Sequence, residues 1–129
     1  MKIRGIAEIV LNVHDMQRSL AFYRDLLGLD VISPPELPNV FLRVGPGQAG
    51  IPQMIVLVPL PGDAPQFTKP RTLHHLALEV ATVDFDAMDA RLRANGYEPR
   101  GGRHPVVPSW TLYVDDPDGN EVEVICAAE

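Results

Sequence analysis

His75-Leu76-Ala77-Leu78-Glu79-Val80 decides the fold, because Glu8-Ile9-Val10-Leu11-Asn12-Val13 stands 75 − 8 = 67 residues before it with the same apolar alternation. The two strands are expected over about Ile6 to Val13 and over Leu73 to Val80, so that Leu11 falls on Leu78 and Val13 on Val80. Working outward from each strand, the elements recur in one order. After the first, Asp15 is a good N-cap, and Met16, Leu20, Tyr23 and Leu27 recur at helical spacing until Gly28 stops the helix. After the second, Thr82 or Asp84 caps a helix carrying Phe85, Met88 and Leu92, and Gly96 ends it. Gly28 and Gly96 need a shift of 96 − 28 = 68, so the offset is nearly constant, which is the signature of an internal repeat.

Three further strands are expected in each half. In the first they are Leu29 to Ile32, Val40 to Val44 and Gln53 to Val58. In the second they are Tyr97 to Arg100, Ser109 to Val114 and Glu121 to Cys126, the last two joined by the turn Asp116-Pro117-Asp118-Gly119-Asn120. The fold class is therefore α+β: one domain over residues 1–129, built of two tandem βαβββ modules that form an open, cupped mixed sheet with helices on its outer face. Module 1 covers about 1–60, a polar proline-rich linker about 59–70, and module 2 about 71–129.

The 129 residues are 46% hydrophobic and 22% charged, ordinary for a soluble globular chain. No apolar run approaches the roughly 20 residues of a membrane span. Eleven Lys and Arg against 17 Asp and Glu give −6, with no basic run, which speaks against nucleic acid and anionic membranes as partners. Met1-Lys2-Ile3-Arg4 opens no signal core, and Cys126 is the only cysteine, so a reducing cytoplasm is the expected compartment.

Strand parity isolates a polar set, since alternate residues face opposite sides. Ala7, Ile9, Leu11 and Val13 form an apolar row, as do Leu76, Leu78 and Val80, and Val122, Val124 and Cys126. The opposite rows are mixed, and they aim Glu8, His75 and Glu123 into one space from three strands. Two carboxylates in a cavity repel, and a divalent cation removes the conflict. Oxygen and nitrogen donors without thiolate suit one Zn, Ni, Mn, Fe or Co ion, identity open, with coordination positions left for water or substrate. The plainer alternative is a solvated sheet face with His75 as a satisfied polar residue.

Three stretches carry a resemblance: Val13-His14-Asp15-Met16-Gln17-Arg18-Ser19-Leu20-Ala21-Phe22-Tyr23-Arg24-Asp25-Leu26-Leu27-Gly28-Leu29, then His75-Leu76-Ala77-Leu78, and Tyr113-Val114-Asp115-Asp116-Pro117-Asp118-Gly119-Asn120-Glu121-Val122-Glu123. They are similar to the vicinal oxygen chelate superfamily, which holds the glyoxalase I, bleomycin-resistance and extradiol dioxygenase families. The resemblance implies a metal held in the cup by the first, fifth and eighth strands, sometimes with a fourth ligand from the fourth. Glu8 stands where a His or Gln is usual, His75 matches the fifth-strand His, and Glu123 the last-strand Glu. The fourth-strand position is expected at Ile55, which cannot ligate, while Gln53 shares its parity and offers an amide oxygen. One His with two carboxylates departs from the two-His, one-carboxylate dioxygenase site. The resemblance also implies a homodimer.

Two functions follow as expectations. The first is a metal-dependent enzyme acting on a small substrate with vicinal oxygens, by glyoxalase-like lyase or isomerase and epimerase chemistry. Glu123 and Glu8 then double as candidate bases, and Tyr113, in the resemblance, reaches the bound substrate; a core aromatic is the alternative role for Tyr113. The second is a metal-free protein sequestering a small molecule, as in bleomycin resistance, with an extradiol-type dioxygenase also open. His74 carries apolar-row parity and reads as structural, His14 as an exposed loop residue, and Cys126 as an inert core thiol. Arg100, Arg103 and His104 lie in a basic loop that could close on an anionic substrate or simply be solvated.

Overall fold

In a computed structural model that describes residues 1–128, the chain divides into two compact units, Met1–Pro65 and Gln66–Glu129. The first holds β1 (Glu8–Val13), α1 (Met16–Leu20) running into a π-helical stretch (Ala21–Leu26), β2 (Asp30–Val31), β3 (Val40–Gln48) and β4 (Ile51–Pro59). The second holds β5 (Leu76–Glu79), a 3-10 turn (Thr82–Asp84), α2 (Phe85–Ala94), β6 (Arg100–Gly102), β7 (Ser109–Asp115) and β8 (Glu121–Ala127). Each forms a four-stranded mixed sheet, ordered β1-β4-β3-β2 and β5-β8-β7-β6, with one parallel pair and two antiparallel pairs. These are the two tandem βαβββ modules that the repeat calls for. Among the described residues no helix is long and apolar enough to cross a membrane.

The repeat extends to strand register. Ile9 pairs with Ile55 and Leu76 with Val122; Val10 pairs with Val56 and Ala77 with Glu123; Leu11 pairs with Leu57 and Leu78 with Val124. Every β5–β8 pair is thus a β1–β4 pair moved by 67 positions. The apolar rows make the cores: Leu11, Val13, Leu42, Ile55 and Leu57 in one unit, Leu76, Leu112, Val114, Val122, Val124 and Cys126 in the other, all buried. Helix α1 packs on β4, and α2, through the fully buried Leu92, on β8.

Local structure departs from the sequence reading in three places. Asp15 caps α1 as expected, accepting from Arg18 N at 3.2 Å, but past Leu20 the helix widens, and Leu27 N donates to Phe22 O, five residues back, at 2.9 Å. Both Phe22 and Tyr23 are fully buried, their rings edge to face at 4.9 Å. At α2, neither candidate caps through its side chain: Asp84 makes no such bond, and the Thr82 hydroxyl donates to Ala127 O at 2.8 Å. Strand β5 begins at Leu76 instead of Leu73, because its partner β8 begins only at Glu121 and the residues before that are folded into a turn.

That turn is closed by Asp116. Its Oδ1 accepts from Asp118 N (2.9 Å) and Asn120 N (2.8 Å), and its Oδ2 from Asn120 Nδ2 (3.0 Å). Arg71 clamps the turn from outside, its Nη1 donating to Asn120 Oδ1 (3.0 Å) and Nη2 to Asp118 O (2.6 Å). Gly119 takes φ +81°, and a Cβ there would sit 2.9 Å from Arg71 Nη2, so glycine serves both the backbone and the clamp. Because the turn sets where β8 starts, it also sets which residues of β8 face which side. Replacing Asp116 by Ala removes bonds to a buried carboxylate and is expected to cost about 2–4 kcal/mol in urea unfolding, against roughly zero (within about 0.5 kcal/mol) for Asp63→Ala on the surface.

Candidate functional site

Strand β8 is central in its sheet, so a side chain on it has neighbours on both sides. On the face away from the apolar core, Glu123 lies level with Ala77 of β5 and Tyr113 of β7. Ala77 is small and Tyr113 is large, which leaves room on the β5 side. His75, just before β5, fills part of it: its Nε2 lies 3.1 Å from Glu123 Oε1, and its ring meets the Tyr113 ring edge to face at 5.8 Å. Glu123 is only 2% exposed although it belongs to a mixed row. Its second oxygen, Oε2, is buried without a hydrogen-bond partner, and so is Thr111 Oγ1, one step along the same face of β7. A buried carboxylate oxygen with nothing to accept from is costly.

His75, Glu123 and Tyr113 therefore meet within the second unit. Glu8 belongs to the first, where it opens β1 level with Met54 and is exposed, in a row with the exposed Val10 and Asn12. Leu11 and Val13 of the opposite row are buried, so the parity of β1 is as expected.

The fourth-strand assignment needs correction. Ile55 lies level with Ile9 and Leu42 and points into the apolar core at 2% exposure; Gln53 shares that parity and so faces away from Glu8's side of the sheet. The residues of β4 on Glu8's side are Met54, Val56 and Val58. In the repeat, Val56 stands where the second unit has Glu123, and Phe41, level with Val56, stands where it has Tyr113. Neither Val56 nor any neighbour of its parity in β4 carries an oxygen or imidazole donor, and Gln53 is on the wrong face to replace one.

His74 is also corrected. Since β5 starts at Leu76, strand parity does not reach it. It is exposed, and its Nδ1 lies 2.7 Å from His75 Nδ1. The ligand atoms of His74, His75 and Glu121 all lie within 4.8 Å of one another. The basic loop is occupied locally. Arg100 Nη2 donates to Asp115 (3.3 Å) and Glu121 (3.0 Å), Arg103 lies over the Trp110 ring at 5.2 Å, and His104 Nδ1 accepts from Val106 N and Val107 N. His14 is half-buried, bonded to Pro65 O at 2.9 Å, and so is not a free loop residue. Cys126 is a buried free thiol on the apolar row.

Three residues escaped the sequence reading. Thr111 had a signal, since it shares Tyr113's parity. Gly102 had none: a Cβ there would come within 2.5 Å of Tyr113 Cε2 and 3.0 Å of Thr111 Oγ1, so only glycine leaves the Tyr113 ring its place. Glu121 shares the parity of Glu123, but that alone does not reveal its tie to Arg100.

The chain is similar to known proteins in sequence and in fold. The chain is 29% identical over 116 residues to mouse mitochondrial methylmalonyl-CoA epimerase, covering 82% of this chain and 65% of that one, so it spans just under two thirds of that relative's length. It is 29% identical over 127 residues to lactoylglutathione lyase of Salmonella typhimurium, covering 93% of this chain and 90% of the lyase. In fold it is similar to a glyoxalase/dioxygenase from Nostoc punctiforme, with a TM-score of 0.76 at 24% identity over 98% of this chain and 92% of that one. Residues 5–124 match the model of one family, and the chain belongs to it: the Glyoxalase/Bleomycin resistance protein/Dioxygenase superfamily.

Proposed function

We propose that this chain is a divalent-metal-dependent enzyme that moves a proton on a small substrate with vicinal oxygens, in a lyase, isomerase or epimerase reaction. The observation that carries this reading is the buried Glu123 carboxylate, with one oxygen on His75 Nε2 and the other without a partner. An anion held there calls for a positive charge, and an imidazole beside it supplies the nitrogen donor that a borderline cation prefers. Glu8, His75 and Glu123 are the proposed ligands, a set whose two carboxylates and neutral imidazole balance M²⁺. A Zn, Ni, Mn, Fe or Co ion bound there would polarise a substrate oxygen and acidify the neighbouring C–H.

The chain's own groups then have distinct tasks. Glu123 or Glu8 takes the proton from the substrate carbon onto a carboxylate oxygen and returns it, to the next carbon in an isomerisation or to the other face in an epimerisation. No electrons are exchanged, so no oxidant is needed. Tyr113 presents a phenol that holds a substrate oxygen. Two carboxylates make a harder donor set than a two-His site, which favours this chemistry over oxygen activation. The two relatives, a lyase and an epimerase, support the same class. The proposed working form is a cytoplasmic homodimer without nucleic-acid or membrane partners.

Metal analysis of tag-free protein purified without chelator tests the reading. About one transition-metal ion per chain is expected, with affinity lowered at least about 100-fold in His75→Ala. Metal-free protein that binds a dye or drug tightly, with His75→Ala no weaker, would instead establish the sequestering function. Glu123→Gln is expected to lose the metal while the apo protein unfolds at the same or higher urea concentration, by up to about 1 kcal/mol, since it removes an unpaired buried charge. Tyr113→Phe should retain the metal and lower kcat by about 10- to 100-fold in the reaction it serves.

A further inference from the structure

We infer that His74 is a positioning residue for His75, chosen because its ring nitrogen can either donate or accept. The inference rests on the metal-site reading above and extends it to a residue that reading does not use. His75 is held at both nitrogens: Nε2 lies 3.1 Å from Glu123 Oε1, and Nδ1 lies 2.7 Å from His74 Nδ1. The two imidazoles stand edge to face, their centroids 5.0 Å apart, and Tyr113 abuts His75 from the β7 side at a similar angle. The His75 ring therefore has little freedom to turn.

Proton accounting gives His74 its task. An ionised carboxylate can only accept, so opposite one a neutral His75 carries its proton on Nε2. Its Nδ1 is then a lone pair, and His74 Nδ1–H must donate to it. If Nε2 ligates a cation, it carries no proton. The ring's proton must then sit on Nδ1, and His74 Nδ1 must accept it. A carboxylate or carbonyl, the commoner support for a ligating histidine, could serve the second state only. A lysine could serve the first only. Histidine serves both by exchanging tautomers. Asn has the same property, because its amide oxygen and nitrogen occupy the place of Nδ1 and can swap by rotation.

The test compares wild type, His74→Asn and His74→Phe; His74 is exposed, so all three are expected to fold. Zinc affinity is measured by calorimetry. The hydrogen bond itself is read by NMR on ¹⁵N-histidine protein, as a nitrogen–nitrogen coupling between the two Nδ1 atoms, in the zinc-free and zinc-loaded states. The expected result is a coupling in both states of the wild type, with the shared proton on His74 before loading and on His75 after it. Zinc affinity should fall about 10-fold or more in His74→Phe and stay within about threefold in His74→Asn. Equal zinc affinity in wild type and His74→Phe overturns the positioning role alone. Wild type that binds no zinc overturns the metal-site reading, and the role with it. If cobalt-loaded protein loses a nitrogen ligand spectroscopically in His74→Asn, His74 is itself a ligand, and the positioning role is likewise overturned.

Discussion

The contact between Glu123 and His75 is the constraint around which the second unit is arranged. A carboxylate is on the central strand of a sheet, almost wholly removed from water, with one imidazole against it. Burying such a group is unfavourable unless its oxygens are met. Several neighbours exist only in relation to it. Ala77 leaves the space His75 enters, Gly102 leaves the space Tyr113 enters, and the turn closed by Asp116 starts β8 at the position that points Glu123 away from the apolar core. A shift of one residue in that turn would put Glu123 among Val122's neighbours and Val124 where Glu123 stands.

The first unit shows what the same architecture is without that constraint. Its parallel pair has the register of the second unit's, yet Val56 and Phe41 occupy the places of Glu123 and Tyr113. Its sheet face at these positions is apolar, and the polar residues of its β1 row are Glu8 and Asn12, both exposed. The repeat thus keeps backbone pairing, while the buried pairing of a carboxylate with an imidazole stands in one copy. Backbone register depends on hydrogen bonds and apolar alternation, which both copies must keep. The opposite row varies in chemistry between the copies, buried Val56 in one standing for buried Glu123 in the other.

That division explains what could be read from the residues beforehand. Alternation and the constant offset made the two modules, the rows of β1 and β8, and the turn legible, since these are local and periodic. Parity also picked out Glu8 and Glu123 on the rows opposite the apolar ones, whereas His75 lies just before β5 and meets Glu123 through its side chain. The boundaries of β5 were not, because a strand ends where its partner ends, and β8 is limited by a turn 40 or so residues away in sequence. The misassignment of His74 follows directly, for parity was extended past the last paired residue. Ile55 and Gln53 were placed one residue out of phase for a related reason: which side of β4 faces Glu8 is fixed by the pairing of Glu8 with Met54, and no single strand states that. The widened helix over Ala21–Leu26 left no mark in the 3.6-residue spacing, and Gly102 none in its own neighbourhood.

The absence of a donor at Val56 has a consequence for the proposed chemistry. A site with a fourth protein ligand can release one carboxylate to take a proton and still hold its ion by three. Here the register places no such donor on β4 beside Glu8, so on the proposed reading the base would be one of the carboxylates that also hold the ion. Of the two, Glu123 is the better fixed. It is buried on the central strand, with Oε1 beside His75 Nε2 and Oε2 without a partner, so Oε2 is the oxygen left to take a proton. On the proposed reading, restraint of His75 would serve the acid–base chemistry, because an imidazole that shares one ion with Glu123 needs to be steady. His74 and Tyr113 supply that steadiness from two sides.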